Sequence, residues 1–295
     1  MTSDPPPTVI SASRRTDIPA FYLDWFMEGV ARGAFTVENP YNRRRREVPI
    51  TPQRVHSIVF WSKNFGPFLD EKIGERLQAM GYGLFFNFTL NSPDARLEPR
   101  VPPVPERLAQ LEALAKRFGA TSIQWRHDPI CFFRVSGGGT QTNLGAFETI
   151  AYRAAKAGIR SCITSFCDDY RKIRRRVAKT HLGEAGEIAF QFPGVEDQVP
   201  ILEQMVAVLN PLGMALTTCC ERELLDRLPA DMGVTGGRCI DHGLLERLYG
   251  GRLSHRADSG QRRSSGCGCH QSVDIGSYRL HPCGHHCLYC YANPA

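Results

Sequence analysis

Residues Ser57–Leu90 read SIVFWSKNFGPFLDEKIGERLQAMGYGLFFNFTL. Two short runs within it, Ser57–Ser62 and Leu84–Leu90, are too apolar for strands open to water and fit strands covered on both faces. Between them Leu69, Ile73, Leu77 and Met80 recur at helical spacing, and Gly81 marks the stop. Strand, helix and strand in that order predict parallel neighbours joined by a right-handed crossover. The rhythm continues in both directions. Further strand runs are Thr8–Ser13, Ser122–Arg126, Ser161–Phe166 and Met214–Cys219. A helix begins near Pro19, with Phe21, Trp25 and Phe26 as its apolar face, and ends near Gly33. Leu108, Leu111, Ala115 and Phe118 precede Gly119, and Phe147, Ile150, Ala151 and Ala154 precede Gly158. Ile201, Leu202, Met205, Val208 and Leu209 form one more stripe before Pro211. Glu187–Phe192 is ambiguous and fits a small extra strand.

Six such units predict an α/β fold, a (β/α)6-type partial TIM barrel over residues 1–228. From 229 to 295 the rhythm gives way to one short helix (Leu244, Leu245, Leu248) and a Cys-rich segment. That segment is too short for a core of its own and is expected to pack on the barrel. Phe35–Pro52 reads as a hairpin with a basic tip, and Ser92–Pro105 as a proline-rich ordered loop. Ligands of such sheets sit beyond the carboxyl ends of the strands. The chain places Arg14, Arg15 and Asp17 there, with Lys63, Asn64, Thr89, Arg126, Asp128 and Ser165.

Hydrophobic content of 42% with 22% charged residues suits a globular chain and argues against wholesale disorder. No run approaches the roughly 18 apolar residues that span a bilayer. The start, MTSDPPP, lacks the basic and apolar regions of a secretory signal, so the cytoplasm is expected and a membrane partner is not. The net charge of +6 is uneven, with arginines bunched at Arg43–Arg46, Arg171–Arg176 and Arg262–Arg263. Such runs bind phosphates in some proteins and form solvated faces in more.

Eight of the eleven cysteines follow residue 218, a pattern that in a reducing compartment argues for metal rather than disulfides. Cys131, Cys162 and Cys167 stand singly in apolar contexts and read as small core residues. Cys283, Cys287 and Cys290 are spaced C-x3-C-x2-C within PCGHHCLYCY. A [4Fe–4S] cluster held by three thiolates leaves one iron open to the amino and carboxylate groups of S-adenosylmethionine. Cys220, Cys239, Cys267 and Cys269 suffice for a second, fully ligated auxiliary cluster. Cys219 and Cys220 would alternate across a strand, and either fits as the ligand. A structural zinc is the other reading: Cys287 with Cys290 makes one hook and Cys267 with Cys269 a tighter pair. Cys283, His281, His285 or His286 would complete that set.

Ser11–Pro19 (SASRRTDIP), Phe60–Asn64 (FWSKN), Trp125–Pro129 (WRHDP), Cys239–Asp241 (CID) and Cys267–Ala292, with its DIG and CLYCYA, carry a resemblance. They are similar to the uncharacterised bacterial family called domain of unknown function 1848. The cysteine motif, with Tyr289 before its last Cys, also resembles that of the radical S-adenosylmethionine superfamily. In that superfamily the motif follows the first strand, whereas here it stands at the other end. A circular permutation reconciles the two. If the Cys-rich segment returns over the first strand, Cys283–Cys290 occupies the usual cluster loop, with Ser13–Asp17 beneath it. The resemblance implies an enzyme that reductively cleaves S-adenosylmethionine to a 5′-deoxyadenosyl radical, which takes hydrogen from an unidentified substrate. It also implies an electron donor such as flavodoxin or ferredoxin. The alternative is a zinc- or iron–sulfur-stabilised nucleic-acid-binding protein that uses the arginine runs.

Each candidate also has a plainer role. Asp17 caps the helix near Pro19, or contacts cofactor together with Arg14 and Arg15. Lys63 with Asn64 holds the cofactor carboxylate, or Lys63 faces solvent. Arg126 and Asp128 form a structural ion pair or bind ribose. Tyr278, Tyr289 and Tyr291 pack, or relay a hydrogen atom.

Overall fold

The computed structural model describes residues 6–40, 42–180 and 188–292. Tyr41 in the expected hairpin and Glu187 in the ambiguous run lie outside the described residues. In chain order the strands are β1 (Thr8–Ala12), β2 (Ala34–Glu38), β3 (Arg45–Pro49), β4 (Val55–Ser62), β5 (Gly83–Thr89) and β6 (Ile123–Ile130). There follow β7 (Phe132–Val135), β8 (Thr140–Thr142), β9 (Ser161–Phe166), β10 (Ile188–Gln191), β11 (Ala215–Thr218), β12 (Thr235–Gly236) and β13 (Val273–Asp274). The helices are α1 (Ile18–Phe21), α2 (Leu23–Arg32), α3 (Gly66–Asp70), α4 (Ile73–Ala79) and α5 (Val104–Phe118). After them come α6 (Phe147–Lys156), α7 (Arg171–Thr180), α8 (Val195–Leu209), α9 (Arg222–Leu225) and α10 (His242–Tyr249). Among the described residues no helix is long and apolar enough to cross a membrane.

The fold is α/β. Eight strands form one sheet in the order β12-β11-β9-β6-β5-β4-β1-β13, every neighbouring pair parallel. The six expected strands are its centre. Their continuous apolar runs follow from burial of both faces. Toward the helices, Ile10, Ile58, Phe60, Phe86, Trp125 and Leu216 join one core with Phe26, Phe68, Leu111 and Ile150. The alternate residues Val9, Val59 and Phe85 face the other way and pack on Ile240, Leu245 and Leu253. The residues after 229 thus supply the second layer, with α10 lying where an apolar sheet face would otherwise meet water.

Three local readings change. The helix expected from Pro19 to Gly33 is broken at Tyr22 into α1 and α2, leaving Phe21 exposed and aimed at the C-terminal loop. The last expected strand ends at Thr218 rather than Cys219. The run at Arg171 is a full helix, α7, which presents Ile173 inward and keeps most of its cations in water. The hairpin is found as β2 and β3, and Ile188–Gln191 pairs antiparallel with β7 in a small separate sheet.

The C-terminal segment also closes both sheet edges, through β12 beside β11 and β13 beside β1. The DIG stretch explains the second contact residue by residue. Asp274 accepts from Ser11 Oγ (2.7 Å), Ser13 Oγ (2.7 Å) and the Arg14 backbone N–H (2.8 Å). Ile275 is buried in the main core. Gly276 approaches Ser13 so closely that a Cβ would fall 2.2 Å from its Oγ. Because Ser11 and Ser13 are fully buried, Asp274→Ala strands two hydroxyls and an N–H, and should destabilise the fold by about 3 kcal/mol. Urea unfolding measures this, and a loss below about 1 kcal/mol would remove Asp274 as the clasp.

Candidate metal centre

Cys219 and Cys220 lie just past β11, where Cys220 takes the left-handed conformation with φ 66°. The chain turns there, so the two thiols do not alternate as they would on a strand, and their sulfurs stand 3.7 Å apart. Cys219 Sγ is 4.0 Å from Cys239 Sγ. Cys239 hydrogen-bonds Cys269, Cys269 meets Cys267, and Cys267 meets Cys220. The five sulfurs close a ring, one more than the four expected. It sits on the inner sheet face against Ile163 and Trp61. Two guanidiniums face it. Arg126 Nη1 donates to Cys239 Sγ at 2.7 Å. Arg14 lies over the Trp61 ring at 5.1 Å, pairs with Asp258 at 3.4 Å and stands beside Cys269 and Cys239. Its Nη2 is buried with no hydrogen-bond partner among the described residues. Hydrogen bonds between the thiols, together with burial, push Cys219 and Cys239 up, and the Arg126 guanidinium works against that rise.

The second group is the loop holding Cys283, Cys287 and Cys290, whose thiols are near enough to influence one another electrostatically. It lies against the segment after β1. His285 Nε2–H donates to Asp17 Oδ2 at 2.8 Å, the Tyr22 hydroxyl donates to the Pro282 carbonyl at 2.6 Å, and Phe21 meets the His285 ring edge-on. Asp17 caps as expected, its Oδ1 holding α1 through Ala20 N–H, while its Oδ2 also accepts from the Lys63 backbone.

Behind Cys287 lies a buried charge network. Lys63 Nζ donates to Glu98 Oε1 (2.8 Å) and Tyr289 Oη (2.9 Å), and the Tyr289 hydroxyl donates to Glu98. Asn91 Nδ2 reaches both acceptors, and Arg107 Nη1 stands 3.6 Å from Glu98 Oε2. Burial alone would raise the Glu98 carboxyl, but Lys63 and Arg107 outweigh it and hold it down at about 2. Lys63 is therefore neither solvent-facing nor free at the strand end. Asn64 is likewise occupied, its Oδ1 accepting from Gln110 Nε2 and Gly66 N–H.

Between the two thiol groups the strand ends are polar. Asp128 accepts from Arg126 and Ser165, the ion pair expected of the first. Thr89 pairs in register with Arg126, and Arg15 Nη1 donates to the Gly276 carbonyl at 3.0 Å. Glu221 Oε1 accepts from Phe166 N–H, and burial, reinforced by Asp168, pushes its carboxyl up to about 7. Sequence reading missed Glu98, Arg107 and Asp258. Their signal is burial of a charge inside a loop, a helix and a tail, which no residue pattern displays. Among the described residues no three His, Cys, Asp or Glu side chains converge as the ligands of a single metal ion do.

The family model for the domain of unknown function DUF1848 matches residues 9–292, which takes in both thiol groups and the Asp274 clasp. The chain belongs to that family. No curated protein matches it in sequence. Among solved structures, a D-hydantoinase crystal structure is 12% identical with a TM-score of 0.31, covering 69% of this chain and 47% of its own. A D-hydantoinase from Bacillus sp. AR9 is 13% identical, also at TM-score 0.31, over 62% of this chain and 39% of its own. Dihydropyrimidinase from Brevibacillus agri is 12% identical at the same TM-score, over 63% and 39%. The DUF1848 chain thus spans less than half the length of these structures.

Proposed function

We propose that this protein is a radical S-adenosylmethionine enzyme built on an open, circularly permuted (β/α)6-type barrel. The observation that carries the reading is the seating of the three-thiol loop on the segment after β1, through Asp17 and His285. A [4Fe–4S] cluster on Cys283, Cys287 and Cys290 would supply one electron to break a C–S bond of S-adenosylmethionine. The donor set fits such a cluster, which spreads its thiolates over separate irons, better than one ion that needs all its sulfurs within about 2.3 Å.

Each surrounding residue then has a task. Asp17 holds His285 and so fixes the loop on the barrel. Glu98 holds Lys63 behind Cys287, placing a fixed positive charge where the thiolates would lie. Thr89 and Ser165 place hydroxyl oxygens at the strand ends, suited to the ribose of the cofactor, with Asp128 held beside them by Arg126 and Ser165. Arg14 and Arg126 face the five-sulfur ring, so we assign them to an auxiliary cluster there rather than to S-adenosylmethionine. Glu221, poised near neutrality beside that ring, can accept or give a proton at its carboxylate.

Anaerobically prepared protein should be brown, carry iron and sulfide for two clusters, and form 5′-deoxyadenosine when given dithionite and S-adenosylmethionine. Colourless protein with stoichiometric zinc would overturn the reading. Replacing Cys239, Cys267 and Cys269 with alanine should remove about half of the iron and leave the other cluster in place. Unchanged iron content would exclude the five-sulfur ring as a cluster site.

A further inference from the structure

We infer that the exposed stripe Arg171, Arg175 and Lys179 of α7 is the docking face for a small acidic protein that carries one electron, and that it serves the cluster loop. The inference rests on the proposed function above, since a cluster that must be reduced needs a donor.

α7 carries six cations and no acidic residue in ten positions. Three of the six are committed within the molecule. Arg174 pairs with Asp169. Arg176 Nη1 donates to the backbone carbonyls of Cys287 (3.1 Å) and Leu288 (2.7 Å), and Lys172 Nζ to that of Tyr291 (3.2 Å). Arg171, Arg175 and Lys179 are exposed and form no ion pair or hydrogen bond among the described residues. Their spacing of four residues puts them on one face, over about 12 Å of helix. Like charges at that spacing destabilise an isolated helix, so the stripe opposes the stability of α7 unless something anionic meets it.

Position selects the partner. Two of the committed cations, Arg176 and Lys172, grip the backbone at Cys287, Leu288 and Tyr291, so whatever docks on the stripe of the same helix stands close to the cluster loop. A carrier needs that proximity. A nucleic-acid substrate would instead need its reacting atom at the strand ends between the thiol groups. In the transfer the carrier loses one electron and the cluster gains one, and no proton moves.

The test uses the cluster-loaded, full-length protein and a reduced plant-type ferredoxin as the acidic carrier, with dithionite reduction as control. The variant Arg171→Glu/Arg175→Glu/Lys179→Glu, and a milder one with Gln at all three positions, should keep their iron and their dithionite-driven bleaching. At low salt the ferredoxin-driven rate should fall at least about tenfold in the Glu variant and less in the Gln variant. Calorimetric binding of oxidised ferredoxin should weaken in parallel, and the wild-type rate should fall as salt rises. Equal ferredoxin rates in wild type and variants, or a salt-independent wild-type rate, would overturn the inference. So would a variant that loses only the binding of a single-stranded oligonucleotide, which would reassign the stripe to nucleic acid. A protein with no cluster that dithionite can reduce would instead overturn the functional reading beneath it.

Discussion

Alanine at Cys283, Cys287 and Cys290 together should abolish 5′-deoxyadenosine formation while the fold survives. The loop is anchored by groups other than the thiols: His285 on Asp17, Tyr22 on the Pro282 carbonyl, and Leu288 N–H on the Leu97 carbonyl at 2.8 Å. None of these contacts is touched by the substitutions, and the five-sulfur ring is built from other elements, so about half of the iron should remain. Loss of one thiolate should be nearly as severe, since groups that act as a unit are strongly non-additive. The assay is anaerobic, with dithionite, S-adenosylmethionine and quantitation of 5′-deoxyadenosine. Equal yields from wild type and triple variant would show that this loop is not where the cofactor is cleaved.

Glu98→Gln should be the most destabilising single substitution near the site. It leaves Lys63 and Arg107 as buried cations without their carboxylate, a situation that costs about 3–5 kcal/mol. For a chain of this size the melting temperature should drop by on the order of 10 °C. The pH dependence has a definite sign. The Glu98 carboxyl is held at about 2 in the folded protein against an ordinary 4.5. Its contribution is therefore complete above about pH 5 and is lost as pH falls from there toward 2. The difference between wild type and Glu98→Gln should shrink across that window. Melting curves from pH 7 down to pH 3 would measure it, and a gap below about 1 kcal/mol at pH 7 would refute the network's role.

The central strands were legible because burial on both faces leaves an unbroken apolar run. Phe85 and Phe86 point opposite ways, yet both meet a core. The edge strands were not, because Thr235–Gly236 and Val273–Asp274 are two-residue contacts too short to show a pattern, and the second is held by a neighbour remote in the chain. α7 was hidden by its composition, since only a narrow stripe around Ile173 is apolar. At the site the cysteines announced themselves through spacing, and Asp17 through its place before Pro19. What spacing does not convey is the partner of a charge. Lys63 reads as a strand-end cation, but Glu98, which captures it, belongs to a loop whose path is set by tertiary packing. The fifth sulfur of the ring escaped for a related reason: strand alternation does not hold past Thr218, where Cys220 turns the chain.

The pairing of one segment with both outer strands has a consequence for the order of events in the cell. During synthesis, at roughly 5–20 residues per second, β1 is made first and its partner β13 more than 260 positions later. Until then β1 is an open, hydrogen-bond-hungry margin of the kind that recruits other chains, whereas β11 waits only for β12, which follows it closely in the chain. The same late segment brings Cys239, Cys267 and Cys269 to the ring and the whole C-x3-C-x2-C loop. Sheet completion and the assembly of both thiol groups therefore fall at the same stage. A ribosome-bound chain halted before residue 229 would have neither a sealed sheet nor a place to receive iron.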